Sequence, residues 1–371
     1  MPSSNLRLEI FEESKQELKA SLDKKWETHN LQTFQFLSAN LSKCLPNLPE
    51  AQHKSAYFDI LSYKVLQGID TQFSSKFSGI DDFNEFNYDE IRRHLPALFV
   101  SYHTGSYRSA IAFLVKYNIN VVLIADPLAY KYSLEKMLQQ FQQVKDAFSS
   151  TSEFIVFPAD RADLTLQIMG KMKQGYSVLA YIDGNAGSNG YHNRDNSLPV
   201  PFFGQEIFVR TGLPTLSFYL KVPIIPMLSY YDERLQPRWN VYDPIAPPKG
   251  VKEPAAYVEE SIRYLYSILE NALQTYTMQW EGWMFLHRYL HLEAAAPALM
   301  PAEKIDLRIN DRIGLFILDD RYYVLNKENY KLMELEKEVF HLFDNNNSDA
   351  IIERPLADVQ LLYKNRFLIH N

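Results

Sequence analysis

The sequence predicts an α/β protein: a three-layer sandwich with a mostly parallel central sheet, an N-terminal helical region and a small α+β C-terminal module. Three observations predict it. From Ala97 onward, short apolar runs alternate with longer amphipathic stretches, the pattern of strands and helices wound in turn. Before Pro96 the pattern is mostly helical, with apolar residues recurring near helical spacing. After Ala302 the pattern changes again, to short paired strands and a helix. The corresponding boundaries are a helical region over 1–95, an α/β domain over 96–292 and an accessory module over 303–371.

Each element follows from local chemistry. Leu6, Leu8, Ile10 and Phe11 open an apolar face that Leu18, Leu22 and Trp26 continue. Asn30 to Leu45 and Ala51 to Leu66 read as further helices, separated by Pro46 and Pro49. The acidic, aromatic stretch Asp81 to Glu90 reads as a loop. Strands are expected at 97–102, 120–125, 153–157, 177–182 and 223–229. Helices are expected at 106–116, 131–146, 163–173, 209–219 and 254–275. Leu292 to Ala302, rich in Ala and Pro, reads as a linker. Beyond it, Gly314 to Ile317 and Arg321 to Leu325 alternate like a hairpin turning at Asp319-Asp320. Lys331 to Phe343 reads as an amphipathic helix, and Leu361 to Ile369 as a helix end with a short strand.

Composition narrows the function classes. A net charge of −7 argues against general nucleic-acid binding and against broad electrostatic anchoring on an anionic membrane. Cys44 is the only cysteine, so no disulfide forms within the chain, which suits a reducing cytoplasm. The nine histidines show no metal-ligand spacing. The N-terminus has no signal-peptide pattern, and no run of ~18 apolar residues predicts a transmembrane helix. Aromatic residues reach 14%, which fits either an aromatic core or a pocket for long apolar chains.

The most informative stretch is Ser101-Tyr102-His103-Thr104-Gly105-Ser106-Tyr107-Arg108. A strand pattern feeds into it and a helix pattern leaves it, so His103 stands at a strand-to-helix turn that Gly105 lets tighten. An imidazole there lies beside the N–H groups of a helix start, a base next to an anion-binding nest. The alternative is a histidine that only shapes the turn. Asp126 and Asp183 also follow expected strands. In open α/β sheets such strand-end groups converge on one site. Each would otherwise serve as a helix cap or turn former. Gly184 to Leu198 reads as a flexible polar loop, either a lid or a surface connection.

Four blocks in order make residues 95–290 resemble the lipid A biosynthesis acyltransferase family, which is lysophospholipid-acyltransferase-like. These are His103-Thr104-Gly105-Ser106-Tyr107-Arg108, Ile182-Asp183-Gly184, Phe202-Phe203-Gly204, and the stretch Gln279-Trp280-Glu281-Gly282-Trp283 that ends in His287-Arg288. The resemblance implies transfer of a fatty acyl group to a hydroxyl or amine. The donor is then an acyl thioester of phosphopantetheine, on acyl carrier protein or coenzyme A, with no bound cofactor and no metal. The acceptor would be a lipid, a carrier-bound metabolite or a peptide. The expected place is the cytoplasm, with peripheral contact at the inner membrane. His103 becomes the general base, with Asp183 or Asp126 orienting it. Gly105, Ser106 and Tyr107 would supply backbone N–H groups to the oxyanion. Arg108, Arg161, Asn185, Phe203, Gly204, Glu206 and Arg210 would contact the substrates.

One position departs from the family pattern. Arg108 stands where the family carries an acid, and a guanidinium has no acceptor with which to orient a histidine. Either another carboxylate does that work, with Asp126, Asp160, Asp183 and Glu206 as candidates, or Arg108 binds an anionic group. The remaining alternatives are a silent relative that only binds a carrier protein or peptide, and a thioesterase in which the same base activates water. The C-terminal module resembles the winged-helix peptide-recognition domains of modified-peptide biosynthesis, which add a peptide as a strand to a sheet edge. A packing or dimerisation module is the alternative.

Overall fold

The computed structural model describes residues 4–28, 31–73, 88–184, 195–292 and 307–370. Helices α1 (Ser4–Thr28), α2 (Gln32–Cys44) and α3 (His53–Phe73) come first. The chain divides into two compact units. One is Met1–Gln16 with Asp59–Gly282; the other is Glu17–Phe58 with Trp283–Asn371. The division passes through α1, α3 and the Gln279–Arg288 stretch. The linker over 293–302 and the loop over 185–194 lie outside the described residues, as does 81–87.

The first unit is mixed α/β. After α4 (Tyr88–Arg92) come β1 (Leu98–Ser101), α5 (Ala110–Lys116), β2 (Val121–Ala125), α6 (Pro127–Ala147), β3 (Phe154–Pro158), α7 (Leu164–Lys173) and β4 (Ser177–Tyr181). Then follow β5 (Ser197–Phe202), β6 (Gln205–Arg210), α8 (Gly212–Leu220), β7 (Ile224–Tyr231), β8 (Pro237–Val241) and α9 (Ala255–Thr275). A six-stranded sheet has the order β3-β2-β4-β1-β7-β8. Its members are parallel except β8, which runs antiparallel along β7 at the edge. The apolar runs are nearly unbroken because these strands are buried on both faces; all four residues of β1 are buried. Phe99, Leu123, Leu179 and Ile225 share one core with Phe113 of α5 and Phe141 of α6. Tyr102, which follows β1, donates its hydroxyl to Leu265 O of α9 at 2.7 Å.

Connectivity decides what meets at the carboxyl ends of the strands. Ser101 of β1 pairs with Tyr181 of β4, so residues two further along each chain, His103 and Asp183, emerge side by side. Asp126 follows β2, and β4 lies between β2 and β1. Two strand spacings, about 10 Å, separate its chain from that of His103.

The expected helix over 209–219 is shorter and starts later, because the chain first makes a β5–β6 hairpin. Phe202 pairs with Gln205, and Phe203 (φ 48°) and Gly204 (φ 69°) form the two-residue turn. Left-handed geometry at both positions matches the twist of the flanking strands. Arg210 therefore ends a strand and does not open a helix.

The second unit has its own core. Beyond residue 306 it contains β9 (Leu307–Ile309), β10 (Ile313–Leu318), β11 (Arg321–Asn326), β12 (Leu332–Leu335), α10 (Lys337–Asp344), α11 (Ser348–Ile352), α12 (Leu356–Lys364) and β13 (Leu368–His370). β10, β11 and β12 form an antiparallel sheet, and β9 pairs with β13. Asp319 and Asp320, both left-handed, turn the β10–β11 hairpin. The helix expected over 331–343 is half strand. Leu332 to Leu335 pair with β11, and the helix begins only after Glu336 (ψ 147°). Short apolar runs carry either period, and a waiting strand edge selected this one. Val324, Phe340, Phe343 and Leu362 join a single core. Gln35 of α2 donates to Leu315 O of β10 at 3.1 Å.

Candidate active site

The turn after β1 is pressed against neighbouring backbone. Gly105 has φ +51°, and a Cβ there would lie 2.6 Å from both Cα and N of Tyr230 on β7. Only glycine fits such a turn. Gln67 of α3 donates to Gly105 O at 3.2 Å, and Ser106 N–H donates to Ser229 Oγ at 3.0 Å. Ser109 Oγ closes onto Ser106 O at 2.7 Å and accepts from the Trp239 indole at 3.1 Å. The turn is thus anchored from α3, β7 and β8.

His103 and Asp183 form the centre of the site. Nδ1 of His103 lies 2.8 Å from Asp183 Oδ1, and the His103 backbone N–H donates to Oδ2 at 2.9 Å. The Trp280 indole N–H donates to the same Oδ2 at 2.7 Å. The Asp183 side chain is 1% exposed and that of His103 28%, so the acid is sealed and the base is reachable. Burial pushes the Asp183 carboxyl up, but the imidazole charge and three donated hydrogen bonds bring it below the usual carboxylate range. Burial pushes the His103 ring down, and the Asp183 charge and hydrogen bond more than offset this, leaving it above the ordinary histidine value. An ionised carboxylate only accepts, so Nδ1 carries the proton and Nε2 presents a lone pair. Gly184 leaves room for the ring: a Cβ there would lie 3.3 Å from His103 Cε1.

Two tyrosines and an arginine flank the imidazole. The rings of Tyr107 and Tyr181 lie 4.7 and 4.9 Å from it. Burial raises both phenols well above their ordinary value, so neither ionises near neutral pH. The Arg108 guanidinium sits 5.5 Å from the Tyr107 ring centroid. Burial lowers its pKa, but Tyr107 and Glu281 outweigh that and keep it charged. Arg108 is exposed and faces the site opening.

A cavity of ≈ 630 Å³ opens at His103. That is within the usual range for small-molecule sites. Its lining includes the polar side chains of Arg108, Asp126, Lys136 and Arg210 and the apolar ones of Leu123, Met137, Phe141, Val144, Ile168 and Leu216. Phe141 and Val144 are also core residues.

The expected site residues divide accordingly. His103, Tyr107, Arg108, Asp126 and Arg210 line the cavity, and Asp183 supports His103 from beneath. Asp126 is not an orienting acid: its Oδ1 caps α6 by accepting from Leu128 N (2.9 Å) and Ala129 N (3.3 Å). The N–H groups of Gly105 and Ser106 are not open to an oxyanion, since they donate to Gln279 O (3.3 Å) and Ser229 Oγ (3.0 Å). Arg161 is partly exposed and pairs with Asp163. Phe203 and Gly204 are the β5–β6 turn, with Phe203 N–H on Glu270 Oε1 at 2.7 Å, and Glu206 is exposed on β6. None of these last four lines the cavity. Asp160 is exposed in a turn. Asn185 lies outside the described residues.

The sequence reading placed Gly184, Trp280 and Glu281 in family-like blocks but gave them no role, and it did not single out Tyr181. The available signal was the Gln279-Trp280-Glu281-Gly282 block, which stands nearly 100 residues after Asp183 and gives no hint of which side chain points where. A scan against protein-family models matches none of them to this chain, and a search of curated proteins likewise finds no match.

Proposed function

We propose that the chain is an acyltransferase that moves a fatty acyl group from a phosphopantetheine thioester to a hydroxyl or amine. The observation that carries this reading is the hydrogen-bonded His103–Asp183 pair, its imidazole lining a cavity rich in apolar side chains. His103 Nε2 takes the acceptor's proton as the acceptor attacks the thioester carbonyl. The new C–O or C–N bond forms, the C–S bond breaks, and the proton passes to the leaving thiolate. Asp183 stabilises the imidazolium between the two transfers. The chain of the donor lies among the apolar lining, gaining about 0.8 kcal/mol for each buried CH2. Arg108 in that lining holds an anionic group, a donor phosphate or an acceptor carboxylate.

The donor would be acyl carrier protein or acyl coenzyme A, and the acceptor a lipid, a carrier-bound metabolite or a peptide. No helix among the described residues is long and apolar enough to cross a membrane; we place the reaction in the cytoplasm with peripheral contact at the inner membrane. The sheet is then the middle layer of a sandwich, and residues 303–371 are an accessory module. A peptide acceptor has one specific support: the outer edge of β12 has no strand partner among the described residues. Incubating the protein with acyl carrier and coenzyme A thioesters, and following the acyl group by mass spectrometry, tests the proposal. Loss of thioester with the acyl mass gained by an added alcohol, amine or peptide is expected. Release of free acid alone would point to a thioesterase, and an untouched thioester to a protein that only binds.

A further inference from the structure

We infer that Trp280 is a positioning residue for the His103–Asp183 pair, its indole N–H holding one Asp183 oxygen so that the other faces the imidazole. The inference rests on reading His103 as the base, and deepens it. Residues 279–281 run along the turn after β1 like a short strand: Glu281 N–H donates to His103 O (3.2 Å), Gly105 N–H donates to Gln279 O (3.3 Å), and Thr104 and Trp280 form an antiparallel bridge. This register carries the Trp280 ring to Asp183. There Oδ2 receives two donors, the indole at 2.7 Å and the His103 backbone at 2.9 Å, while Oδ1 is left to Nδ1. Without the indole, one backbone donor alone among the described residues would hold Oδ2, leaving the carboxylate free to swing away from the ring.

Gly282 shows how closely the indole is seated. A Cβ at Gly282 would lie 2.1 Å from Cζ2 and 2.7 Å from Nε1 of Trp280. Across the ring, Phe202 meets it edge-on at 5.4 Å. Trp280 is 2% exposed, so it cannot contact a substrate and must act through Asp183. The block that resembles the family's tryptophan-rich stretch thus contributes the indole N–H that reaches Asp183, and a glycine that makes room for it.

Two variants disturb this contact by different means. Trp280→Phe keeps a ring and deletes the N–H; Gly282→Ala keeps the N–H and displaces it. The test follows the imidazole resonances of the full-length protein by NMR as pH is varied, with His103→Gln assigning the His103 signal. Asp183, Glu281 and Arg108 are the charges acting on that ring, and Tyr107 and Tyr181 flank it while neutral. In both variants the His103 midpoint should fall by about one pH unit, because burial persists while the carboxylate's hold weakens. The His287 signal should stay where it is, and kcat should fall roughly 10-fold at unchanged KM, the order of a misoriented base. In the unaltered protein, the Trp280 indole N–H resonance should move with the His103 midpoint. A His103 midpoint unchanged in the variants, or an indole resonance flat through that range, overturns the inference. The indole measurement decides even if neither variant folds. None of the NMR readouts needs a substrate, so a protein that shows the coupling yet transfers no acyl group refutes the acyltransferase reading alone.

Discussion

His103 and His287 are both largely buried and both touch aromatic rings, yet their electrostatic settings are opposite. His287 stacks on Phe36 at 4.2 Å, lies beside Tyr330, and has the Asn40 amide near Nδ1, at 3.5 Å, with no carboxylate bonded to it among the described residues. Burial and the neighbouring Arg288 push its pKa down to about 4, so it is neutral and inert. Burial also lowers the pKa of His103, but Asp183 at 2.8 Å outweighs it, and the pKa rises. Burial silences a histidine; burial with an aligned carboxylate makes it a base.

The largest effect that could break this comparison is loss of the base. His103→Ala should lower turnover by roughly 10²-fold or more, while His287→Gln should leave it within a few-fold; steady-state kinetics on the same thioester reads both. Equal losses would mean that neither histidine is special. Asp183→Asn should cost about as much as His103→Ala, because an amide can neither hold the proton on Nδ1 nor stabilise the imidazolium. It should also move the His103 midpoint downward.

The pH dependence sharpens the contrast, since the two signs differ. Activity should rise with pH through a midpoint above the ordinary histidine value, as Nε2 loses its proton. The stability that His103 gains from Asp183 is fully present below the unfolded pKa of about 6.5 and is lost as pH rises through the folded one. His287 works the other way. Its folded pKa is depressed to about 4, so its stability is present at neutral pH and is lost as pH falls from about 6.5 toward that value. The loss is on the order of 3 kcal/mol at most. Denaturant melts at pH 7 and pH 4.5 should show this loss, and His287→Phe should shrink it.

The smallest expected effect concerns Arg108. Arg108→Glu should raise KM roughly 10-fold while changing kcat little, the result of removing a charge-assisted contact to an anionic group. A rise in kcat would instead mean that an acid at this position still orients His103, and that Asp183 does not suffice.

Much of the sheet was legible in the sequence, for a local reason. Parallel strands buried on both faces are short apolar runs between polar helices; β1, β2, β4 and β7 are such runs, and the edge strand β3 is a partly buried one. Errors fell where two periods compete or where turns carry unusual residues. Leu332 to Leu335 has a helix-like pattern yet pairs with β11. Phe203 adopts a left-handed turn that no phenylalanine announces.

The sequence by itself determined that His103 and Asp183 end strands, that Gly105 lets the turn tighten, and that Arg108 cannot be an orienting acid. These follow from residue chemistry and the neighbours in the chain. Only the tertiary structure decided which acid serves His103. Strand order places β4, not β2, beside β1, so Asp183 meets the ring and Asp126 is left to cap α6. It also brought Trp280 to Asp183 across 97 positions, and the Arg7 guanidinium to Asp70 at 2.6 Å across 63. The physical reason is the same each time. Propensity and turn chemistry act over a few residues, whereas a buried carboxylate takes whichever donors the packed chain delivers to it.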